Sequence, residues 1–183
     1  MSLIALDASG PRAVLARLAP DGGVQARWSA PLKPGLIETL PLLLQEAAAG
    51  REISDIAICT GPGSFTGLRT SIALAQGFAA GRGARLWGIG AAQAYAQGAP
   101  GLRRPLWIAI RARRGRLFLL RDGQALACAD AELPRPDQPV AIGGPEAPLV
   151  ASILAARGAD VMLTDLRLLE ACLLYTSDAA DEE

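Results

Sequence analysis

The sequence predicts an α/β protein built from two halves that share one order of elements. Each half opens with three consecutive strands, after which helices alternate with further strands. A stretch rich in Gly, Pro and Arg at 98–105 lies between them, so we expect domains at 1–98 and 99–171. The repeated order, without sequence identity between the halves, predicts a structural duplication.

In the first half, two short apolar runs and the hairpin signal Pro20-Asp21-Gly22-Gly23 predict a three-stranded meander. This start argues against a dinucleotide-binding fold, which needs a helix directly after its first strand. Apolar residues at helical spacing predict the longer helices. The predicted elements are strands 2–7, 13–18, 24–30, 55–60 and 85–89, and helices 35–49, 67–82 and 91–97.

The second half repeats this strand-first order beyond residue 105. Asp122-Gly123 is a hairpin turn between two of its strands, and a Pro-rich loop at 134–139 precedes the only long helix. The predicted elements are strands 106–111, 116–121, 124–129, 140–144 and 160–163, and a helix over 146–157.

Composition excludes several classes of protein. Of 183 residues, 51% are apolar and 20% charged, which is typical of a folded globular chain, and the formal net charge is zero. There is no histidine, which removes His-based triads and most zinc-enzyme ligand sets. Cys59, Cys128 and Cys172 form no C-x-x-C pair. No apolar run approaches the roughly 18 residues that span a bilayer, so we expect a cytoplasmic protein without a membrane partner.

The C-terminal residues 172–182 read CLLYTSDAADE, which is the translation of a transposase adapter used in sequencing libraries. A translated adapter is not part of the natural protein and carries no information about its fold. We therefore expect residues 172–183 not to be native and the second half to be truncated after Ala171. A genuine acidic helical C-terminus is the alternative.

The most informative segment is GPGSFTGLR at 61–69, which joins a predicted buried strand to a helix. Its glycines permit positive φ and close backbone approach, and either Ser64 or Thr66 can cap the helix. The segment lacks the GK[ST] of a phosphate-binding P-loop and the GxGxxG of dinucleotide binding, so its spacing alone indicates a tight turn. Its residues of interest are Gly61, Pro62, Gly63, Ser64, Phe65, Thr66, Gly67 and Arg69.

As a string, this segment closely resembles the signature of the TsaB family, also called YeaZ. The resemblance extends to LDAS at 6–9, WSAPL at 28–32, ETLPLLLQE at 38–46 and the segment 109–115, and it covers residues 1–165. It implies an actin-like, Hsp70-like (ASKHA) fold with two α/β halves.

The resemblance also implies a non-catalytic role in making N6-threonylcarbamoyladenosine at position 37 of tRNA. In the family, a paralogue, TsaD, binds metal and transfers the threonylcarbamoyl group, and a small ATPase, TsaE, joins the complex. This chain would then bind no cofactor itself, would meet tRNA indirectly through the complex, and could form a homodimer when its partner is absent.

TsaB proteins bind TsaD through two helices, which correspond here to 35–49 and 67–82. The second of these is rich in small residues and apolar nearly all round, which predicts burial on both sides. The predicted partner-binding residues are Leu36, Leu40, Leu43, Ser71, Leu74, Ala75, Phe78 and Ala79.

Two departures from the family pattern concern the first helix and the segment that relatives write IDARxGEVY. Pro34-Gly35 stands where relatives often carry a histidine, and Arg replaces an acid twice within 110–118. The result is an Arg-rich stretch that could steer tRNA phosphates, although a solvated hairpin is the plainer interpretation. The candidate RNA contacts are Arg111, Arg113, Arg114 and Arg116.

Asp7 ends the first strand, where actin-like ATPases place a metal and phosphate contact; a turn or cap acid is the favoured interpretation, because the following residues lack a second glycine. Cys59 lies in an apolar strand without a basic neighbour, which indicates a packed thiol. The alternatives to a scaffold role are a stand-alone small-molecule kinase or ligand-binding protein, with Gly143-Gly144-Pro145-Glu146 as its only adenosine-loop candidate, and a metalloprotease.

Overall fold

The structure, a computed structural model, describes residues 2–31, 36–112 and 115–166, without the side chains of residues 36 and 37. Residues 172–183, interpreted above as an adapter translation, lie outside this description. The described chain divides into two compact units, the first ending at Ala91 and the second beginning at Ala92. The sequence-based boundary at residue 98 lies at the other end of a short helix, Ala91–Gln97.

Unit 1 is a five-stranded mixed sheet with two helices. Its strands run in the order β3-β2-β1-β4-β5, with β1, β2 and β3 antiparallel and β4 and β5 parallel to β1. The elements are β1 (Ser2–Asp7), β2 (Arg12–Leu18), β3 (Val24–Pro31), α1 (Leu36–Ala48), β4 (Ile53–Cys59), α2 (Phe65–Arg82) and β5 (Arg85–Ile89).

Alternation along the strands places the apolar side chains that hold α1 and α2 on the sheet. Leu6 of β1 stands in register with Leu15 of β2 and Ile58 of β4, and all three are buried. Leu40 and Leu44 of α1 pack into the same core cluster. Burying one such side chain contributes about 1.5–3 kcal/mol, so this face of the sheet fixes both helices.

Unit 2 repeats the strand topology of unit 1, with a 3-10 turn in the place of α1. Its sheet order is β10-β9-β6-β7-β8, again three antiparallel strands followed by two parallel ones. The elements are α3 (Ala91–Gln97), β6 (Leu106–Arg111), β7 (Arg116–Arg121), β8 (Gln124–Ala129), a 3-10 turn (Asp130–Glu132), β9 (Val140–Gly143), α4 (Ala147–Ala156) and β10 (Val161–Leu163). The duplication predicted from the order of elements is confirmed.

The helix α2 begins at Phe65, two residues before its predicted start at 67. The reason is the cap: the Ser64 side chain accepts a hydrogen bond from Gly67 N at 3.3 Å, so the helix starts directly after Ser64. Of the two caps that the sequence allowed, the structure uses Ser64. Among the described residues, no helix is both long and apolar enough to cross a bilayer.

Candidate functional site

The signature loop between β4 and α2 lies against the end of β1. Ser64 donates its backbone N–H to Ser9 O at 2.7 Å, and Asp7 Oδ1 accepts the Ser9 N–H at 2.8 Å. A Cβ atom on Gly63 would lie 2.4 Å from Ser9 O, so only glycine fits at this position. The signature loop and the loop that follows β1 are therefore packed directly against each other.

Asp7, the last residue of β1, is 6% exposed, and its carboxylate accepts the N–H of Ser9 two residues on, which agrees with its interpretation as a turn acid. Burial raises the pKa of Asp7, and hydrogen bonds from Ser9 and Cys59 offset only part of that rise. Burial, with the neighbouring charge of Asp7, raises the pKa of Cys59 to about 12. The Cys59 thiol therefore stays protonated at neutral pH, as expected of a packed side chain rather than a nucleophile.

The burial of α2 corrects the predicted partner-binding face. Ser71, Ala75 and Ala79 are buried with Gly67 in a row spaced every four residues, here called the inner stripe, which faces the sheet of unit 1. Leu40 of α1 is fully buried in the same core. These four predicted residues hold the chain's own fold, because an amphipathic helix turns its apolar side toward its own sheet before any partner.

The other residues predicted to bind a partner are neither fully buried nor fully exposed where their side chains are described. Leu43, Leu74 and Phe78 are half-buried and pack against the core cluster of unit 1. The side chain of Leu36 lies outside the described residues. Leu43, Leu74 and Phe78 keep part of their surface available, and their assignment to a partner stays a prediction.

The face opposite the sheet carries different residues. Phe65, Arg69, Ala73 and Gly77, here called the outer stripe, are all exposed and lie two positions, or about 200°, from the inner stripe. Phe65 is 61% exposed, with the Arg69 guanidinium 5.2 Å from its ring centre. On α1, which packs against α2, Leu42 is 64% exposed. These are the two most exposed large apolar side chains of the described residues.

Sequence reasoning included Phe65 only as a signature residue and missed Leu42. The signal that could have identified Leu42 is its position on the helix. Leu42 falls between the core residues Leu40 and Leu44 of α1, so it is apolar but off the stripe that faces the sheet. An apolar residue at such a position has no use within its own core.

The Arg-rich segment is engaged within unit 2 wherever it is described. Arg111 forms an ion pair with Glu146. Arg116 donates to Ala127 O at 2.9 Å and lies 3.9 Å from Glu132. Arg113 and Arg114 lie outside the described residues. RNA contact by these arginines stays a prediction, and for Arg111 and Arg116 it would compete with existing partners.

The glycine-rich turn before α4 is also closed against its own sheet. Gly144 has a φ of 93°, and a Cβ there would lie 2.7 Å from Ala109 O. Glu146 donates its backbone N–H to the same carbonyl at 3.0 Å. This turn was the candidate adenosine loop of the kinase alternative, and its glycine packs directly on β6.

Comparisons with known proteins agree with this architecture. The family model described as TsaD, tRNA N6-adenosine threonylcarbamoyltransferase, matches residues 35–165. A search of curated proteins found no match. Among solved structures, YeaZ from Pseudomonas aeruginosa is similar at 20% identity and a TM-score of 0.65, over 99% of this chain and 96% of that one.

Two further structures share the fold at lower identity. The ethanolamine utilization protein EutJ from Carboxydothermus hydrogenoformans aligns at 13% identity and a TM-score of 0.55, over 95% of this chain and 88% of that one. A ROK family protein from Streptococcus pneumoniae aligns at 10% identity and a TM-score of 0.57, over the whole of both chains. The predicted actin-like α/β fold is confirmed.

Proposed function

Because the chain belongs to the TsaD family and is YeaZ-like in sequence pattern and fold, we propose that it is a non-catalytic subunit that binds and activates a TsaD-type threonylcarbamoyltransferase. The product of that enzyme is N6-threonylcarbamoyladenosine in tRNA. In this proposal a TsaE-type ATPase and tRNA reach the chain only through the complex, in the cytoplasm. A homodimer is the proposed state when the partner is absent.

The observation that carries this proposal is the outer surface of α1 and α2. Leu42 and Phe65 project from two helices that pack on one face of the sheet, and Ala73 and Gly77 leave the middle of α2 low. A partner helix can approach closely over small residues and bury the two large side chains as anchors. Anchors of this kind contribute most of the binding free energy of an interface, about 2 kcal/mol or more each.

A non-catalytic role fits the chemistry of the side chains. The sequence has no histidine, and the described ranges contain no group of three acidic or Cys side chains that could hold a metal ion. Two side chains of nucleophile type have structural roles or are unreactive: the Ser64 hydroxyl caps α2, and the Cys59 thiol stays protonated at neutral pH. We therefore propose that the partner supplies the metal and the reacting groups, while this chain makes and breaks no bond.

We further propose that the chain binds no nucleotide by itself. In an actin-like fold the phosphates would lie between the strand ends and the glycine-rich turns. Here Gly63 packs on the Ser9 carbonyl and Gly144 on the Ala109 carbonyl, at distances that leave no room for a Cβ atom. Because both glycines face carbonyl oxygens, which repel an anion, we propose that neither turn holds a phosphate group, and this weighs against the stand-alone kinase.

The proposed mechanism of activation is a population shift. The TsaD-type partner has a competent state that gains contacts with α1 and α2, and binding raises the fraction of partner molecules in that state. The shift is limited by the difference in affinity of this chain for the two partner states, so loss of one anchor should reduce both binding and activation.

The surface can be tested by co-expressing the full chain with the TsaD-type protein of the same genome and measuring co-elution and affinity. Leu42→Arg should weaken binding at least about tenfold, since it replaces an anchor by a charge. Leu126→Arg is the matched control, because Leu126 is 41% exposed on β8 of unit 2.

Binding that both variants retain equally would contradict the assignment of the surface. A well-folded wild-type chain that never co-elutes with the partner would contradict the scaffold role itself. Circular dichroism of each variant confirms that the change acts on the surface rather than on folding.

A further inference from the structure

Three hydrogen bonds connect the end of β1 to the first turn of α2. Asp7 Oδ1 accepts the Ser9 N–H at 2.8 Å, Ser9 O accepts the Ser64 N–H at 2.7 Å, and Ser64 Oγ accepts the Gly67 N–H at 3.3 Å. The second bond joins residues more than fifty positions apart in the chain, whereas the first and third are local. The first bond fixes the turn that follows β1. The second holds the signature loop against this turn, and the third holds the first turn of α2 against the loop.

The surroundings leave this chain of bonds little freedom. Asp7 is 6% exposed and also receives the hydrogen bond of the Cys59 thiol, so water competes poorly for its carboxylate. Gly63 lies directly on the Ser9 carbonyl, so a small rotation of the turn would push the loop away. The orientation of the Ser9 peptide therefore decides where Ser64 lies.

Ser64 in turn sets the outer surface. It is the N-cap of α2, and Phe65 is the first residue of that helix. A change in the cap shifts or frays the first turn, and the exposed Phe65 ring moves with it. The rest of α2 is held on the sheet by the inner stripe, so the effect is confined to this end of the helix.

We propose that Asp7 is a positioning residue which, through Ser9 and Ser64, orders the first turn of α2 and presents Phe65 to the partner. In this proposal the acid at the end of β1 helps to build an interaction surface. This inference rests on the proposed function, because it assigns Asp7 a part in partner binding.

Two variants of Asp7 separate the hydrogen bond from the charge. Asp7→Asn keeps an oxygen that can accept the Ser9 N–H, whereas Asp7→Ala removes the acceptor. In the full chain without partner, Asp7→Ala should accelerate amide hydrogen exchange at Ser9, Ser64 and Gly67 by about tenfold, and Asp7→Asn by no more than about threefold. Amides of β6 and β9 in unit 2 serve as the internal control.

Affinity for the TsaD-type partner is the second readout. Asp7→Ala should weaken binding about five- to tenfold, and Asp7→Asn should restore it, which a general loss of stability would not explain. Ser64→Ala removes only the last bond of the series and should weaken binding in the same direction, which provides a test if Asp7→Ala does not fold.

The outcomes distinguish this inference from the proposed function. Unchanged exchange at the three amides in Asp7→Ala would overturn the inference whether or not a partner binds. Accelerated exchange with unchanged affinity, while Leu42→Arg still weakens binding, would also overturn it and leave the scaffold role intact. Where Asp7→Ala is unfolded, unchanged affinity in Ser64→Ala overturns it.

Discussion

The two units close the turn before their last long helix with the same backbone contact and different side chains. In unit 1, Ser64 donates its N–H to the carbonyl of Ser9, which follows β1. In unit 2, Glu146 donates its N–H to the carbonyl of Ala109 in β6, the counterpart of β1. Both units therefore have a backbone hydrogen bond at this place that needs no particular side chain, so the two halves can share this contact without sharing a sequence.

The side chains of Ser64 and Glu146 have different roles. Ser64 caps α2 through its hydroxyl, whereas the Glu146 side chain makes no cap hydrogen bond and pairs with Arg111. Unit 1 also has the buried Asp7 under its turn. In unit 1, hydrogen bonds to the side chains of Asp7 and Ser64 support the turn, and we interpret them as serving the proposed function. In unit 2, the turn is closed by the backbone contact without a side-chain cap.

The largest effect is expected at the glycines that both turns share. Gly63→Ala places a Cβ 2.4 Å from Ser9 O, and Gly144→Ala places one 2.7 Å from Ala109 O. Each should lower the free energy of unfolding by about 2–4 kcal/mol, because backbone must move to relieve the contact. Urea denaturation measures this.

The matched control for both glycines is Gly77→Ala. Gly77 is in the middle of α2 and has no atom near the position of an added Cβ, so this change should stabilise by about 0.5–1 kcal/mol. If Gly63→Ala were as stable as Gly77→Ala, the tight contact between loop and strand would be wrong. If only Gly144→Ala were tolerated, the comparison between the units would fail.

A smaller difference is expected between one ion pair in each unit. Asp55 in unit 1 is 8% exposed and accepts hydrogen bonds from Arg85 Nε at 2.8 Å and Trp87 Nε1 at 2.9 Å. Burial alone would raise the pKa of Asp55, but hydrogen bonds from Trp87, Ser54 and Arg85 and the charge of Arg85 lower it below its usual value. Asp160 in unit 2 is exposed, and its carboxylate pairs with Arg104 Nη1 at 2.8 Å.

Asp55→Ala should therefore destabilise by about 1–2 kcal/mol and Asp160→Ala by less than about 0.5 kcal/mol. Because the folded-state pKa of Asp55 is lowered, its contribution is present above the unfolded pKa and is lost as pH falls through the folded pKa. The difference between wild type and Asp55→Ala should shrink on acidification, and a difference independent of pH would count against the charge as its source.

The smallest difference is expected at the caps themselves. Ser64→Ala should lower the free energy of unfolding by about 1 kcal/mol, since it removes the acceptor for the Gly67 N–H. Glu146→Ala should cost less than about 0.5 kcal/mol, because its side chain makes only a partly exposed ion pair with Arg111. Equal costs would show that the caps are equivalent and would remove the distinction between the two turns.

Much of the fold was predictable because its signals are local. Alternation, hairpin turns and helical spacing place every strand and the longer helices within a few residues, and the order of elements predicts the duplication. The start of α2 was missed by two residues, because Ser64 and Thr66 are both good caps and the sequence does not rank them.

The candidate site was less predictable because it depends on contacts between distant segments. Periodicity identifies the apolar side of a helix, but not whether a sheet or a partner covers it. Four residues predicted to bind a partner are instead buried in their own unit: Leu40, Ser71, Ala75 and Ala79. The contact of Ser9 with Ser64 joins two loops, and no local pattern encodes it.

We propose that this chain activates a TsaD-type enzyme without catalysing the reaction. The direct measurement is the rate of threonylcarbamoyl transfer to tRNA by that enzyme, with this chain added over a range of concentrations. We predict a rate that rises to saturation, no transfer by this chain alone, and a right-shifted curve for Leu42→Arg but not for Leu126→Arg. Transfer by this chain alone, or a partner rate that does not respond to it, would contradict the claim.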